Sequence, residues 1–249
     1  MDQNQTFMHG VYVVAKKNIM LYYIKPPVLI AGLLFPVFFL LAFVVGREMD
    51  VRTAVPCMLA MVLFLTATAV DPLITPWERK AKTYERLISS PVSHLAIILG
   101  DIISGACFGI MLLILAAVFG ILITKTILPD IFILLPALIL AGFCFAALGT
   151  LLASAPTNNP SQVMMTSSVV KFPLLFTSGI FMPLADMPAW SRPLVLVSPL
   201  SYCTDLFTLA FGAKPYFSIL TDLTALSVLT IIFIFAARRL QWRMRAKAL

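Results

Sequence analysis

The chain has 249 residues, of which 61% are hydrophobic and 12% charged, with a formal net charge of +7. Soluble domains carry roughly 45–50% apolar and about 25% charged residues. At a mean hydropathy of +1.00, a water-soluble fold would expose more apolar surface than soluble monomers tolerate. An ordinary soluble enzyme, a disulfide scaffold and a disordered chain are thereby excluded, leaving an all-α integral membrane protein.

The stretch Thr6–Lys25 mixes Phe7, Val11, Val14, Ile19, Leu21, Tyr22 and Tyr23 with Lys16, Lys17 and Lys25. It is too polar to span a bilayer. It predicts an amphipathic helix lying in the interface within residues 1–27, with Pro26-Pro27 turning the chain into the membrane. The first long apolar run begins at Val28 with no small-residue cleavage site behind it, so no secretory leader is expected.

A bilayer core of about 30 Å needs roughly 20 apolar residues in a helix. Continuous apolar runs predict six transmembrane helices: Val28–Gly46, Ala54–Thr75, Leu95–Ile123, Ile127–Ala153, Val163–Pro183 and Ile219–Ala237. These runs do not alternate with period two, which excludes a strand barrel. Alternate loops differ in basic residues. One side takes Lys16, Lys17, Lys25, Arg79, Lys80, Lys82, Arg86, Arg238, Arg239, Arg243, Arg245 and Lys247; the other takes only Arg47, Arg52, Lys125, Arg192 and Lys214. That asymmetry predicts a multi-pass protein of the cell membrane with both termini cytoplasmic. The basic residues sit beside hydrophobic runs, where they meet anionic lipid headgroups rather than nucleic acid.

Cys57, Cys107, Cys144 and Cys203 are widely spaced, and buried free thiols are the expectation. The sequence contains no Gly-Lys dipeptide and so no P-loop. Neither H-E-x-x-H nor G-x-S-x-G occurs, and His9 and His94 stand far apart. No catalytic group and no metal site is expected. Asp71, Asp101 and Lys171 fall within apolar runs. Charges there are costly unless paired or wet; the two aspartates are expected to reach the interface or to pair with Lys171 across the bundle, with a proton relay as the other reading.

The largest charged block covers residues 76–94. Glu78 and Lys82 form an i,i+4 pair in the favourable order, Leu87 and Ile88 give an apolar side, and Pro91 ends the segment. A short amphipathic helix there suits docking into a groove of a soluble partner; a solvated loop that only fixes orientation is the alternative. Phe172–Gly212 carries Pro173, Pro183, Pro188, Pro193 and Pro199 and is apolar without being a clean span. Irregular backbone at membrane depth requires protein or a wet cavity around it. Short re-entrant outer helices over residues 184–212, broken at Pro188 and Pro199, are predicted, with Trp190 and Tyr202 at the interface.

Three motifs together carry a resemblance: the charged loop Glu78–Ser93 followed by Leu99-Gly100, the block Ser178–Trp190, and the stretch Ser198–Asp205. Over nearly its whole length the chain resembles the permease subunits of ABC-2 type transporters. Related sequences often carry glycine where this one has Lys82, and lysine where it has Asp101. The resemblance implies a single transmembrane domain over residues 1–249 that forms a translocation pathway as a homodimer or with a paired permease. A separate ATPase subunit would dock from the cytoplasm. ATP and Mg would sit on that partner, with no cofactor on this chain. It further implies a coupling segment carried by Glu78, Arg79, Thr83, Glu85, Arg86, Leu87 and Pro91. An outer gate would be shaped by Pro183, Pro188, Trp190, Pro199, Tyr202 and Asp205. The runner-up is a secondary transporter or channel without an ATPase, which would want several midplane charges and inverted repeats.

Overall fold

The computed structural model describes residues 3–23, 34, 38, 51–69, 71–83, 86, 87, 92–124, 130–155, 157 and 159–248. The predicted span Val28–Gly46 lies outside the described residues except for Leu34 and Phe38, both helical.

The expected N-terminal helix is present as α1 (Gln3–Asn18), continued by a π turn over Ile19–Tyr23. It is two-faced: Val11, Val14 and Ala15 are buried while Met8, Tyr12 and Val13 are exposed. The buried face lies along the start of α4 (His94–Thr124), where a Cβ added to Gly100 would meet Val14 at 2.7 Å.

The second predicted span is not one helix. α2 (Val51–Ala67) ends in a turn at Thr68–Ala69, and the chain resumes helix as α3 (Asp71–Lys80). Local chemistry explains the break. The hydroxyls of Thr66 and Thr68 donate back to the Val62 and Phe64 carbonyls at 2.6 Å each. Ala69 N–H donates to the Thr66 carbonyl, tightening the last turn. Pro72 then has no N–H for the Thr68 carbonyl.

The third span matches its expectation: α4 starts where Ser93 Oγ accepts Ala96 N–H at 3.2 Å. α5 (Ile131–Ala153) starts later than Ile127 because Asp130 is its N-cap, accepting Phe132 N–H at 2.9 Å. α6 (Pro160–Phe176) begins at the Asn159 cap with Pro160 in the first turn. It stops well before the predicted Pro183, closed by Thr177 and by Gly179, whose φ of +85° suits a residue without Cβ. α9 (Ile219–Ala248) continues past the predicted Ala237 because its arginine-rich end is helix-forming.

Between α6 and α9 lie two 3₁₀ turns, Leu184–Asp186 and Ala189–Ser191, then α7 (Arg192–Val197) and α8 (Pro199–Ala210). The Ala189–Val197 helix and α8 meet at 91°. The break falls at Ser198-Pro199, as expected from proline.

Among the described residues three helices are long and apolar enough to cross a membrane, His94–Val118, Ile131–Ala153 and Ile219–Arg243, and a fourth crossing results if the bent pair counts as one. The molecule is a helical membrane bundle. α5 is its centre, packed by α2, α3, α4, α8 and α9. Small residues permit this: a Cβ added to Gly149 would meet Thr68 backbone at 3.1 Å, and one added to Gly109 would meet the Ala67 Cβ at 2.9 Å. Both helices therefore clasp the end of α2. Cys57, Cys144 and Cys203 are buried free thiols as expected; Cys107 departs from the expectation and is exposed, on the side of α4 that also exposes Met111, Ile114 and Leu115.

Candidate functional site

α3 is tied to its surroundings at both ends. At its start, Thr150 Oγ1 on α5 donates to Asp71 Oδ2 at 2.5 Å. Near its end, Lys17 Nζ on α1 donates to Glu78 Oε1 at 2.6 Å, and Arg79 donates to the Ala155 carbonyl beyond α5 at 3.1 Å. Pro76 is buried, while Trp77 is exposed with Lys80 over its ring at 5.7 Å.

Glu78 is buried, so its carboxylate faces α1 rather than a docking groove. The helical i,i+4 spacing to Lys82 is also interrupted. α3 ends at Lys80, and Lys82 takes φ +57°, the left-handed region that favours glycine. Thr83 Oγ1 donates to the Glu78 carbonyl at 3.1 Å, closing the turn. Thr83 and Arg86 are exposed and Leu87 half-buried. Of the other residues expected in a coupling segment, Glu85 and Pro91 lie outside the described residues.

Of the intramembrane charges, Lys171 lies within electrostatic reach of Asp71, one of the two aspartates expected beside it, whereas Asp101 is held by α1. Lys171 Nζ donates to the Thr68 carbonyl at 2.7 Å. Asp101 accepts Asn18 Nδ2 at 2.8 Å, and the same amide reaches Ser104 Oγ at 3.2 Å. Lys171 thus serves a freed carbonyl, and Asp101 anchors the end of α1.

At the opposite end of the bundle, α8 bridges α6 and α9. Ser198 and Ser201 hydroxyls donate to the Leu174 and Thr177 carbonyls at 3.3 and 3.1 Å, supplying donors to the end of α6. Asp205 accepts Tyr216 N–H at 2.8 Å and Phe217 N–H at 2.7 Å, fixing the approach to α9. Tyr202 is buried; its hydroxyl donates to the Leu196 carbonyl at 2.7 Å across the bend. Trp190 is exposed, as are Pro183 and Pro188, whereas Pro199 and Asp205 are buried. The residues expected to shape an outer gate therefore divide into a buried strut, Pro199–Tyr202–Asp205, and an exposed set, Pro183, Pro188 and Trp190.

Sequence reading missed Lys17, Thr150 and Asn18 as partners, and it missed Asp222, fully buried in the first turn of α9. An acidic residue inside the sixth apolar run was the available signal for the last. The two ends of the described chain share one end of the bundle: α1 meets α3 through Lys17, and Gln241 of α9 donates to Ser154 at the end of α5 at 3.0 Å.

Residues 9–211 match the ABC-2 type transporter family. The chain is also 39% identical over 69 residues to a daunorubicin resistance ABC transporter permease protein of Streptomyces coeruleorubidus. That stretch is 26% of this chain and 23% of the relative. With most of its length matched to one family and its described residues an apolar helical bundle, the chain belongs to the ABC-2 type transporter family.

Proposed function

We propose that the chain is the permease subunit of an ATP-driven exporter, one domain over residues 1–249 with six crossings. Two permeases line the pathway, each served by a separate ATPase subunit that carries ATP and Mg. Both termini face the cytoplasm of the cell membrane, on the side of α3.

The observation that supports this reading is the bracing of α3. Motion delivered at Thr83, Arg86 and Leu87 reaches α1 through Lys17, the α5–α6 turn through Arg79, and the centre of the bundle through Thr150. A partner's push there would act on three elements at once, and a two-state bundle biased by nucleotide needs such a lever. Glu85→Arg in the same segment should abolish transport with insertion intact. At the other end, α8 would transmit the change to the exposed rim at Pro183, Pro188 and Trp190.

The relative is named for daunorubicin resistance, which makes a drug the cargo class to examine first. Purification of the tagged chain from mild detergent tests the function directly. A P-loop ATPase recovered in equal amount supports it. A folded permease without one returns the secondary-transporter reading, with Asp71, Asp101 and Lys171 as the residues to change.

A further inference from the structure

α9 is the least covered of the three long apolar helices. Only 11% of its most apolar stretch is buried, against 61% in α4 and 50% in α5. Val228, Ile231, Ile232 and Phe235 are all exposed and recur at helical spacing, so they form one outward apolar stripe. The same spacing carries the stripe into Arg239 and Trp242, which are exposed as well. The rotation of this end is fixed from behind. Gln241 donates to Ser154 Oγ at 3.0 Å and Ala237 is fully buried, which leaves Arg238, Arg239, Trp242 and Arg243 on the open side.

Phe235, Ala236, Arg238, Arg239, Trp242 and Arg243 line an open groove of about 740 Å³. That lies within the roughly 300–1,000 Å³ of small-ligand sites. Its three guanidinium groups have no acidic partner among the described residues. The acids described at this end of the bundle are engaged elsewhere: Asp71, Glu78 and Asp101 accept from Thr150, Lys17 and Asn18. An occupant must therefore be anionic at the arginines and apolar along the stripe. An anionic phospholipid is both. Its phosphate accepts from guanidinium forks, its chains cover the stripe, and Trp242 sits at headgroup level between them. A second copy of the chain fits worse, because a two-fold pair across this face would set arginines against arginines. A soluble acidic partner would reach the arginines but not the stripe.

We propose that the end of α9 binds one anionic phospholipid, its phosphate held by Arg238, Arg239 and Arg243 and its chains lying along Val228, Ile231, Ile232 and Phe235. With the orientation proposed above, that lipid belongs to the cytoplasmic leaflet. The site itself requires neither that orientation nor an ATPase.

Trp242 is one of three tryptophans, so Trp77→Phe with Trp190→Phe leaves it as the sole indole. The full chain carrying both changes is placed in phosphatidylcholine nanodiscs with rising fractions of a lipid brominated on its acyl chains, which quenches indole on contact. Half-maximal quenching should need roughly fivefold less brominated phosphatidylglycerol than brominated phosphatidylcholine, about the worth of one arginine at an anionic surface. Arg239→Gln should narrow that difference. Arg238→Gln, Arg239→Gln and Arg243→Gln together should abolish it, and Lys214→Gln, beyond the far end of α9, should leave it intact. If the tryptophan variant does not fold, native mass spectrometry of the unsubstituted chain should show a phosphatidylglycerol adduct that Arg239→Gln weakens. Equal quenching by the two lipids overturns the site, as does a preference that outlives the three arginines. Loss of the preference in millimolar inorganic phosphate would assign a free anion and overturn the lipid. Weak quenching by both lipids, with chain-to-chain cross-links in Trp242→Cys, would give the face to a second copy and overturn it too. Nanodiscs are symmetrical and hold no ATPase, so failure here leaves the export reading standing, and a missing ATPase leaves this site standing.

Discussion

Lys171 Nζ on α6 donates to the Thr68 carbonyl at 2.7 Å, and that carbonyl is the one Pro72 leaves without an intrahelical donor. A lysine in an apolar helix thus completes the hydrogen bonding of a break two helices away. The break separates the buried α2 from α3, so this contact holds the coupling segment in register with the bundle.

Lys171→Met should therefore destabilise the protein by about 1–3 kcal/mol, the cost of a buried acceptor left without its charged donor. Lys171→Arg should retain most of the stability. Pro72→Ala restores an N–H for Thr68, so the double variant Lys171→Met with Pro72→Ala should lose less than the single one. Denaturant melts in detergent check all three, and strict additivity would show that the two residues do not share the carbonyl.

Lys17 and Glu78 make the second tie. Their side chains are 26% and 8% exposed, so the pair is partly screened and its coupling should be about 1 kcal/mol. Lys17→Glu and Glu78→Lys should each lower transport, and the exchanged double variant should recover it. ATPase co-purification should be unchanged throughout, because the pair faces inward. Loss of the ATPase in Glu78→Lys would place Glu78 in the docking surface instead.

Beyond α3 the expectation reverses. Arg86→Glu and Leu87→Arg should abolish ATPase association and transport while leaving melting temperature within a few degrees of wild type. Lys82→Gly should keep both functions, because φ +57° favours glycine there. Pull-down yield and a thermal melt on the same preparations separate these outcomes.

Gly149→Ala should cost about 1–3 kcal/mol, since the new methyl meets Thr68 backbone that cannot turn aside. Gly142→Ala should cost much less, because its methyl meets the Ile110 side chain at 3.4 Å. Comparable losses in the two melts would show that the α2–α5 contact is not limited by backbone approach.

Periodicity and run length made much of the bundle legible. α1, α4 and α5 lie where their apolar patterns put them, and Pro199 marked the bend before α8. Other features depended on local chemistry that hydropathy does not weigh. Pro72 and the threonines at 66 and 68 divide the second run although its hydropathy is continuous, and Gly179 ends α6 inside an apolar stretch. The site partners were least legible. Lys17 and Glu78 stand 61 positions apart, and Thr150 is 79 from Asp71. Only the packing of α1 and α5 against α3 brings them together. Glu78 looked like surface because charge in a loop normally is; its burial follows from a cation supplied by another helix.

The coupling of paired permeases to ATP through the segment after α3 is tested most directly by pulsed electron resonance. A spin label at the exposed Thr83 position of the purified permease–ATPase complex reports both pairing and movement. One defined distance between two labels, changing when ATP is added and returning after hydrolysis, is the predicted result. The absence of a second label within range, or a distance that ignores nucleotide, would contradict it.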